Sequence, residues 1–256
     1  MLIDFSKFSS IKIGGVFEVA EISYENASEF NGVIIGACNN ILISPKPPNL
    51  GILSDDFKFI ELLDDEILRV GAKTKSSQIY NFAKKQNLAG FEFLRGIPGT
   101  LGGLLTMNAG LKGFEISNSL VSATTSKGKF IRDELDFSYR KSEIPGVIFE
   151  AEFSVKSGFD SSLSDEISKA RNNQPKGYSF GSCFKNPAND SAGRLIESVQ
   201  LKGYKIGGCK FSEIHANFLI NFDNGKFEDA TKLINLAKKR VLEEHGVKLE
   251  CEVKIV

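Results

Sequence analysis

Residues 90–110 read GFEFLRGIPGTLGGLLTMNAG, the segment of the 256-residue chain richest in backbone signals. Gly96, Gly99, Gly102 and Gly103 free the main chain to turn tightly, and Pro98 fixes one torsion inside the loop. Main-chain N–H groups of such a loop point into a concavity, and a helix starting after Thr100 adds its positive end. Both features suit a pyrophosphate. The same glycines suit equally a turn packed beneath a helix. The spacing matches neither G-x-G-x-x-G nor G-x-x-x-x-G-K-[ST], so neither a Rossmann nor a P-loop signal is present.

Upstream, Leu68 to Ala72 reads as a strand, and Ser76 or Ser77 as the cap of a helix with Ile79, Phe82 and Ala83 on one face. Downstream, Lys127-Gly128 is a hairpin signal, and residues 147–155 alternate strictly, with Phe149, Ala151 and Phe153 on one face. Toward the N-terminus, Val16 to Ile22 is strand-like and Glu25 to Asn31 reads as a helix. Two short apolar runs, 33–35 and 41–43, flank the turn Gly36-Ala37-Cys38-Asn39-Asn40, where small residues let a ligand approach the backbone. Residues 157–165, SGFDSSLSD, are the best linker candidate. Beyond it come a helix around Ile167 to Asn172, a short helix from Ala192 to Val199, and a long amphipathic helix. The long helix turns Ala230, Leu233, Ile234, Ala237, Val241 and Leu242 inward and stops at Gly246. Val247 to Val256 has the period-2 pattern of a strand. Helices and strands are mixed throughout, so the class is α+β or α/β, in three lobes.

Composition excludes some functions. Lys plus Arg and Asp plus Glu balance at 32 each, so no overall field favours nucleic acid or an anionic membrane. The four cysteines, Cys38, Cys183, Cys209 and Cys251, are scattered, which predicts free thiols in a reducing cytoplasm and no structural zinc. The N-terminus does not read as a signal peptide, and no apolar run is long enough to insert into a bilayer.

Outside the glycine segment, four places carry chemistry-bearing side chains. GSCFKNP, residues 181–187, holds a hydroxyl (Ser182), a cation (Lys185) and an amide (Asn186) in one stretch; a capped surface turn is the commoner meaning of such a string. Arg140 follows Tyr139 and reads either as a solvated pair or as a bidentate carboxylate clamp. Glu252 lies opposite the apolar set of the last strand, where solvent exposure is the simple expectation. His215 and His245 read as structural residues.

Taken in order, KFSSIKIGG (7–15), the glycine segment (90–110), FSYRKS (137–142), GSCFKNPANDSAGRLIE (181–197), KGYKIGG…SEIHANFLIN (202–221) and GVKLECEV (246–253) resemble the UDP-N-acetylenolpyruvoylglucosamine reductase (MurB) family. The resemblance runs nearly the full length of the chain. It implies an α+β flavoprotein of three domains, with a two-lobed FAD-binding unit of the vanillyl-alcohol-oxidase type. The expected lobes are 1–56 (with 247–256 returning to it) and 57–160, followed by a substrate domain at 161–246. It further implies a cytoplasmic monomer that uses FAD, with NADPH as co-substrate, to reduce the enolpyruvyl ether of UDP-N-acetylglucosamine. By the same resemblance Ser182 is the proton donor, Arg140 and Glu252 act on the enolpyruvyl carboxylate, and Lys185 and Asn186 lie where the UDP diphosphate binds. Gly36, Ala37, Cys38, Asn39, Asn40, Gly96, Ile97, Pro98, Gly99, Thr100, Gly102, Gly103, Asn108 and Ala109 match the FAD segments. A cysteine at position 38, in a turn that favours positive φ, is expected to be strained. Only 41 residues (141–181) separate Arg140 from Ser182, which matches the shorter subgroup without an inserted tyrosine loop.

Overall fold

A computed structural model describes residues 1–64, 66–171 and 174–256. Among them the α-helices are α1 (Phe5–Phe8), α2 (Ser76–Lys85), α3 (Leu101–Thr106), α4 (Ser161–Ala170), α5 (Ala192–Ser198) and α6 (Phe227–His245). They are interleaved with short strands, so the class is mixed α and β. The chain divides into two compact units, one of residues 1–19, 37–48 and 173–256, the other of residues 20–36 and 49–172.

In the second unit a five-stranded antiparallel sheet has the order Gly128–Ile131, Leu120–Thr125, Ile148–Ser154, Ile67–Gly71, Ile60–Leu62. Ile148–Ser154 is central because its alternation buries Phe149, Ala151 and Phe153 and leaves Glu150 and Glu152 half-exposed. Lys127-Gly128 turns the first hairpin as expected, with Gly128 at φ 128°. Leu68, Val70, Ile79, Ala83, Leu101 and Leu105 close the core, bringing α2 and α3 onto the sheet. The N-cap of α2 is Lys75 rather than a serine. Ser76 lies inside the helix and gives its hydroxyl to the Ile97 carbonyl, and its N–H donates to Gly99 O at 3.0 Å. The glycine segment outcompetes the cap for that hydroxyl.

In the first unit the antiparallel order is Tyr178–Ser182, Phe218–Asn221, Cys209–Phe211, Lys205–Ile206. α5 and α6 cover it through Leu195, Ile196, Leu233, Ile234, Ala237 and Val241. Gly246 ends α6 in the left-handed region at φ 66°, as the stop signal implied.

Several expectations need correction. Glu25–Asn31 forms turns, because Asn26 Oδ1 accepts the Ser23 N–H and Asn26 Nδ2 donates to Glu21 O, satisfying the backbone locally. Leu242 is 51% exposed, so the inward face of α6 ends at Val241. Residues 247–256 are not one strand: only Lys254–Ile255 is, although Leu249 and Val253 are buried. The runs on either side of residues 36–40 do not pair with each other. Val33–Ile34 pairs in parallel with Leu50–Leu53, and Ile41–Leu42 pairs in parallel with Lys254–Ile255. The stretch 157–165 is only partly a connection. Asp160 accepts the N–H groups of Ser162 and Leu163 and starts α4 at Ser161; the expected end of that helix at Asn172 lies outside the described residues. Among the described residues no helix is long and apolar enough to cross a membrane.

Candidate active site

Ser182 ends the strand Tyr178–Ser182, where a register irregularity between Ser179 and Ser182 coincides with Gly181 at φ 85°. The bulge re-aims the last residue of the strand. The next three residues are held firmly. Asn217, 3% exposed, accepts the Phe184 N–H at 2.9 Å and donates Nδ2 to Phe184 O at 2.8 Å, while its carbonyl takes the Cys183 N–H at 2.7 Å. On the other side the Glu252 N–H donates to Cys183 O at 2.9 Å, and Phe184 bridges Cys251. Ser182 and Glu252, 70 positions apart by number (252 − 182), therefore lie on directly bonded segments. Glu252 is half-buried, not exposed as its strand position alone implied. Its carbonyl accepts Asn40 Nδ2 at 3.0 Å, which ties the 36–40 turn to the same place.

Lys185 and Asn186 have structural partners. Lys185 Nζ lies 2.7 Å from Glu250 Oε1, and Asn186 Oδ1 accepts the Ala192 N–H at the start of α5 at 3.0 Å. The capped-turn meaning of GSCFKNP is therefore realised around the hydroxyl of Ser182. His215 is also structural. It accepts the Asn217 N–H at Nδ1, its ring meets Phe218 edge-on, and burial lowers its pKa. His245 Nε2 lies 2.7 Å from Ser198 Oγ at the C-terminus of α6.

Within the second unit, Arg140 occupies a two-residue hairpin turn between Asp136–Ser138 and Lys141–Glu143, with Ser138 opposite Lys141. Its φ is 58°, a region where a non-glycine residue costs about 1–2 kcal/mol. The end of the glycine segment holds this turn at two points. Asn108 Nδ2 donates to Ser138 O at 3.2 Å and Arg140 Nη2 donates to Gly110 O at 3.0 Å. Asn108 (1% exposed, φ 39°) also reaches Glu115, yet its Oδ1 is buried with no hydrogen-bond partner among the described residues.

The glycine loop is formed as expected, with one correction. The first amides of α3 are not free for an anion: Leu101 N–H donates to Thr74 O and Gly102 N–H to Ala72 O, both at 2.9 Å. Donors with no acceptor among the described residues include the amides of Gly96 (φ 75°), Gly99 (φ 127°) and Thr100. Ile97, Pro98 and Ala109 are spacers here, and the Ile97 and Ala109 amides are spent on Leu94 O and Leu104 O. Gly36 meets this loop directly: a Cβ on Gly36 would stand 2.6 Å from Thr100 Oγ1, and one on Gly103 would stand 3.7 Å from it.

The rest of the 36–40 turn, in the first unit, has the expected strain at Cys38, with φ 47°. The Cys38 carbonyl is pinned by the Ser10 N–H and hydroxyl. Burial pushes its thiol up to about 12, so the side chain is apolar filling and the turn acts through its backbone. The amides of Ala37, Cys38 and Asn39 have no acceptor among the described residues. An open cavity of about 520 Å³ in the first unit, flanked by Lys12, Gly14, Ser44 and Lys226, contains none of the residues nominated from sequence. Sequence reasoning missed the supports Asn217 and Asn221. Asn221 Nδ2 donates to Ile11 O and Lys12 O while its Oδ1 takes the Gly225 N–H. Their only signal was an amide inside an apolar run, SEIHANFLIN.

Residues 173–256 match the family model for the UDP-N-acetylenolpyruvoylglucosamine reductase C-terminal domain. The UDP-N-acetylenolpyruvoylglucosamine reductase of Campylobacter jejuni (strain RM1221) is 54% identical over 100% of both chains. That of Helicobacter pylori (strain J99) is 43% identical over 99% of this chain and 98% of its own. The crystal structure of the Thermus caldophilus enzyme superimposes with a TM-score of 0.87 at 28% identity, covering 100% of this chain and 98% of that one. Identity at this level along the whole length, on a shared fold, shows that the chain belongs to the UDP-N-acetylenolpyruvoylglucosamine reductase family.

Proposed function

We propose that this chain reduces the enolpyruvyl ether of UDP-N-acetylglucosamine to UDP-N-acetylmuramate, a step in the synthesis of peptidoglycan precursors. The observation that carries this reading is the 54% identity with the Campylobacter jejuni reductase over both entire chains. The enzyme is an oxidoreductase that uses FAD, with NADPH as co-substrate.

The residues present fit a flavin dinucleotide. In the second unit the 96–100 turn offers the amides of Gly96, Gly99 and Thr100, which have no acceptor among the described residues. Such amides hold a pyrophosphate without a side-chain cation. The orphaned Asn108 Oδ1 lacks a donor of the kind a flavin ring N–H supplies. Bound there, FAD would supply the hydride chemistry that links NADPH to the vinyl group of the substrate.

The chain's own residues do the rest. As C3 gains a hydride, negative charge grows across C2 and the carboxylate; Arg140 supplies a fixed planar cation for it. Arg140 is a non-glycine residue in a strained turn, and such strain is retained where a side chain must be held in one place. Ser182 transfers its hydroxyl proton to C2; that hydroxyl has no hydrogen-bond partner among the described residues. Glu252, on the segment bonded beside it, acts with Arg140 on the enolpyruvyl carboxylate and, when protonated, serves as a general acid that replenishes the proton. Lys185 and Asn186 sit where the diphosphate of the UDP end is bound.

In the proposed division of labour, residues 1–56 with 247–256 and residues 57–160 hold the flavin, and residues 161–246 the UDP-sugar. α4, which belongs to the second unit, is the part of that last stretch committed to the glycine segment. The enzyme acts in the cytoplasm, whose reducing conditions suit its four free cysteines, and as a monomer.

Two measurements test this reading. Anaerobic addition of NADPH to the purified protein is expected to bleach the flavin bands, and the enolpyruvyl ether alone to restore them. A yellow protein that bleaches and ignores that substrate would require another oxidoreductase reaction. The second measurement tests the turns: Gly36→Ala forces a Cβ into Thr100 Oγ1 and is expected to lower FAD content after gel filtration. Adding Thr100→Ala removes that oxygen, leaving only Cβ at 3.7 Å, and restores FAD if the contact is the cause. Full FAD in the single variant would separate the turn from cofactor binding.

A further inference from the structure

The turn that carries Arg140 is not one that its own hairpin selects. In two-residue β-hairpin loops the favoured turns place positive φ at both central residues or at the first, which suits the twist of the strands. Here the loop residues are Tyr139 and Arg140, and of the two only Arg140 has it, at φ 58°. Glycine or asparagine commonly supplies that conformation, so an arginine there is held from outside. One support is the short hairpin of Gly110–Leu111 with Phe114–Glu115, in which Gly110 stands opposite Glu115. A Cβ on Gly110 would stand 2.1 Å from Phe114 O and 2.9 Å from Glu115 Cα and Cγ, so the strands pack at a distance that glycine alone allows. The Gly110 carbonyl, fixed in this way, accepts Arg140 Nη2 at 3.0 Å.

The other support begins at the half-buried Glu115 side chain, which belongs to the same unit. Its Oε2 accepts Asn108 Nδ2 at 2.7 Å in a charge-assisted bond, and the second hydrogen of that nitrogen goes to Ser138 O at 3.2 Å, on the residue before the turn. The carboxylate decides which way the amide faces. Were the amide reversed, Asn108 Oδ1 would meet the Glu115 carboxylate and the Ser138 carbonyl, three acceptors with no donor between them. Glu115 thus joins these two holds on the turn, one through its side chain and Asn108, the other through its strand partner Gly110. The reaction above gives it no task.

We propose that Glu115 is a positioning residue for Arg140: through Asn108 and Gly110 it holds the turn so that the guanidinium meets the carboxylate of the bound substrate. The inference rests on the reductase reading, which gives Arg140 that carboxylate. The test uses the full-length, FAD-loaded enzyme. Glu115→Met removes the acceptor and keeps the length of the side chain; Glu115→Gln keeps a neutral acceptor oxygen. Each is made in the wild-type and in the Arg140→Ala background. Stopped-flow absorbance reads flavin reduction by NADPH and reoxidation by saturating enolpyruvyl ether, and gel filtration reads retained FAD. Glu115→Met is expected to slow reoxidation about tenfold or more, the scale of a misplaced reacting group, with flavin reduction and FAD retention unchanged. Glu115→Gln, whose bond to Asn108 is weaker, is expected to lie between, about threefold down. In the Arg140→Ala background neither substitution is expected to slow reoxidation further, because a residue that acts through Arg140 has nothing left to act on. A merely structural role would lower the rate by the same factor in both backgrounds, and that additive result overturns the proposal. So does a Glu115→Met rate within about twofold of wild type, a Glu115→Gln rate equal to wild type or no better than Glu115→Met, or loss of FAD, which would place Glu115 in cofactor binding. If Glu115→Met does not fold, the cycle closes on Glu115→Gln by the same criteria. A wild-type enzyme that the enolpyruvyl ether does not reoxidise sinks the reductase reading instead, so the two failures are told apart.

Discussion

Ser182→Ala is expected to leave reduction of the flavin by NADPH at the wild-type rate and to slow its reoxidation by the enolpyruvyl ether about 10²–10⁴-fold, the usual range for losing a positioned acid. The split follows from where the proton goes. Hydride transfer from NADPH needs no protein proton at C2, whereas the second half-reaction cannot finish without one. The variant tests chemistry rather than folding, because Ser182 is at a strand end and its neighbours are held by Asn217 and by the Glu252 N–H through backbone bonds that alanine leaves intact. Stopped-flow absorbance on each half-reaction separates the two. Reoxidation at the wild-type rate would remove Ser182 from the mechanism.

Arg140→Ala is expected to lower the same half-reaction by about 10²–10³-fold, the cost of removing one donor aimed at developing charge. Arg140→Lys is expected to recover only part, since an ammonium lacks the planar fork that engages a carboxylate at two points. Alanine retains the positive φ of 58° and its strain, and gives up the bond to Gly110 O and the contact with the Tyr139 ring. FAD content is the decisive control. If Arg140→Ala loses FAD while flavin-loaded protein turns over normally, Arg140 belongs to the cofactor site and not to the carboxylate.

Much of this was legible in the chain because the signals are local. The alternation at 147–155 predicts a buried face and the central strand realises it; the spacing of Ala230, Leu233, Ile234, Ala237 and Val241 predicts the inward stripe of α6. Positive φ at Gly96 and Gly99 follows from residue type, and at Cys38 from the turn it occupies, against its residue type. The misses share a cause. Asn26 diverted 25–31 from a helix by bonding its own backbone, and Asp160 started a helix inside a polar stretch that resembles a linker. In both, one side-chain hydrogen bond outweighed a weak propensity.

By itself, the sequence determined which residues carry chemistry and which faces are apolar, since both depend on side-chain type and on periods of 2 or 3.6 residues. It also determined family membership, through ordered motifs along the whole chain. Only the tertiary structure decided that Glu252 is bonded beside Ser182, and that the Leu101 and Gly102 amides are spent on Thr74 and Ala72. It alone decided that Asn108 and Gly110 hold the Arg140 turn. Each of these joins positions far apart in the chain. Such pairings are chosen by which buried donors and acceptors remain unsatisfied once the sheets and helices have packed, and no local pattern records that.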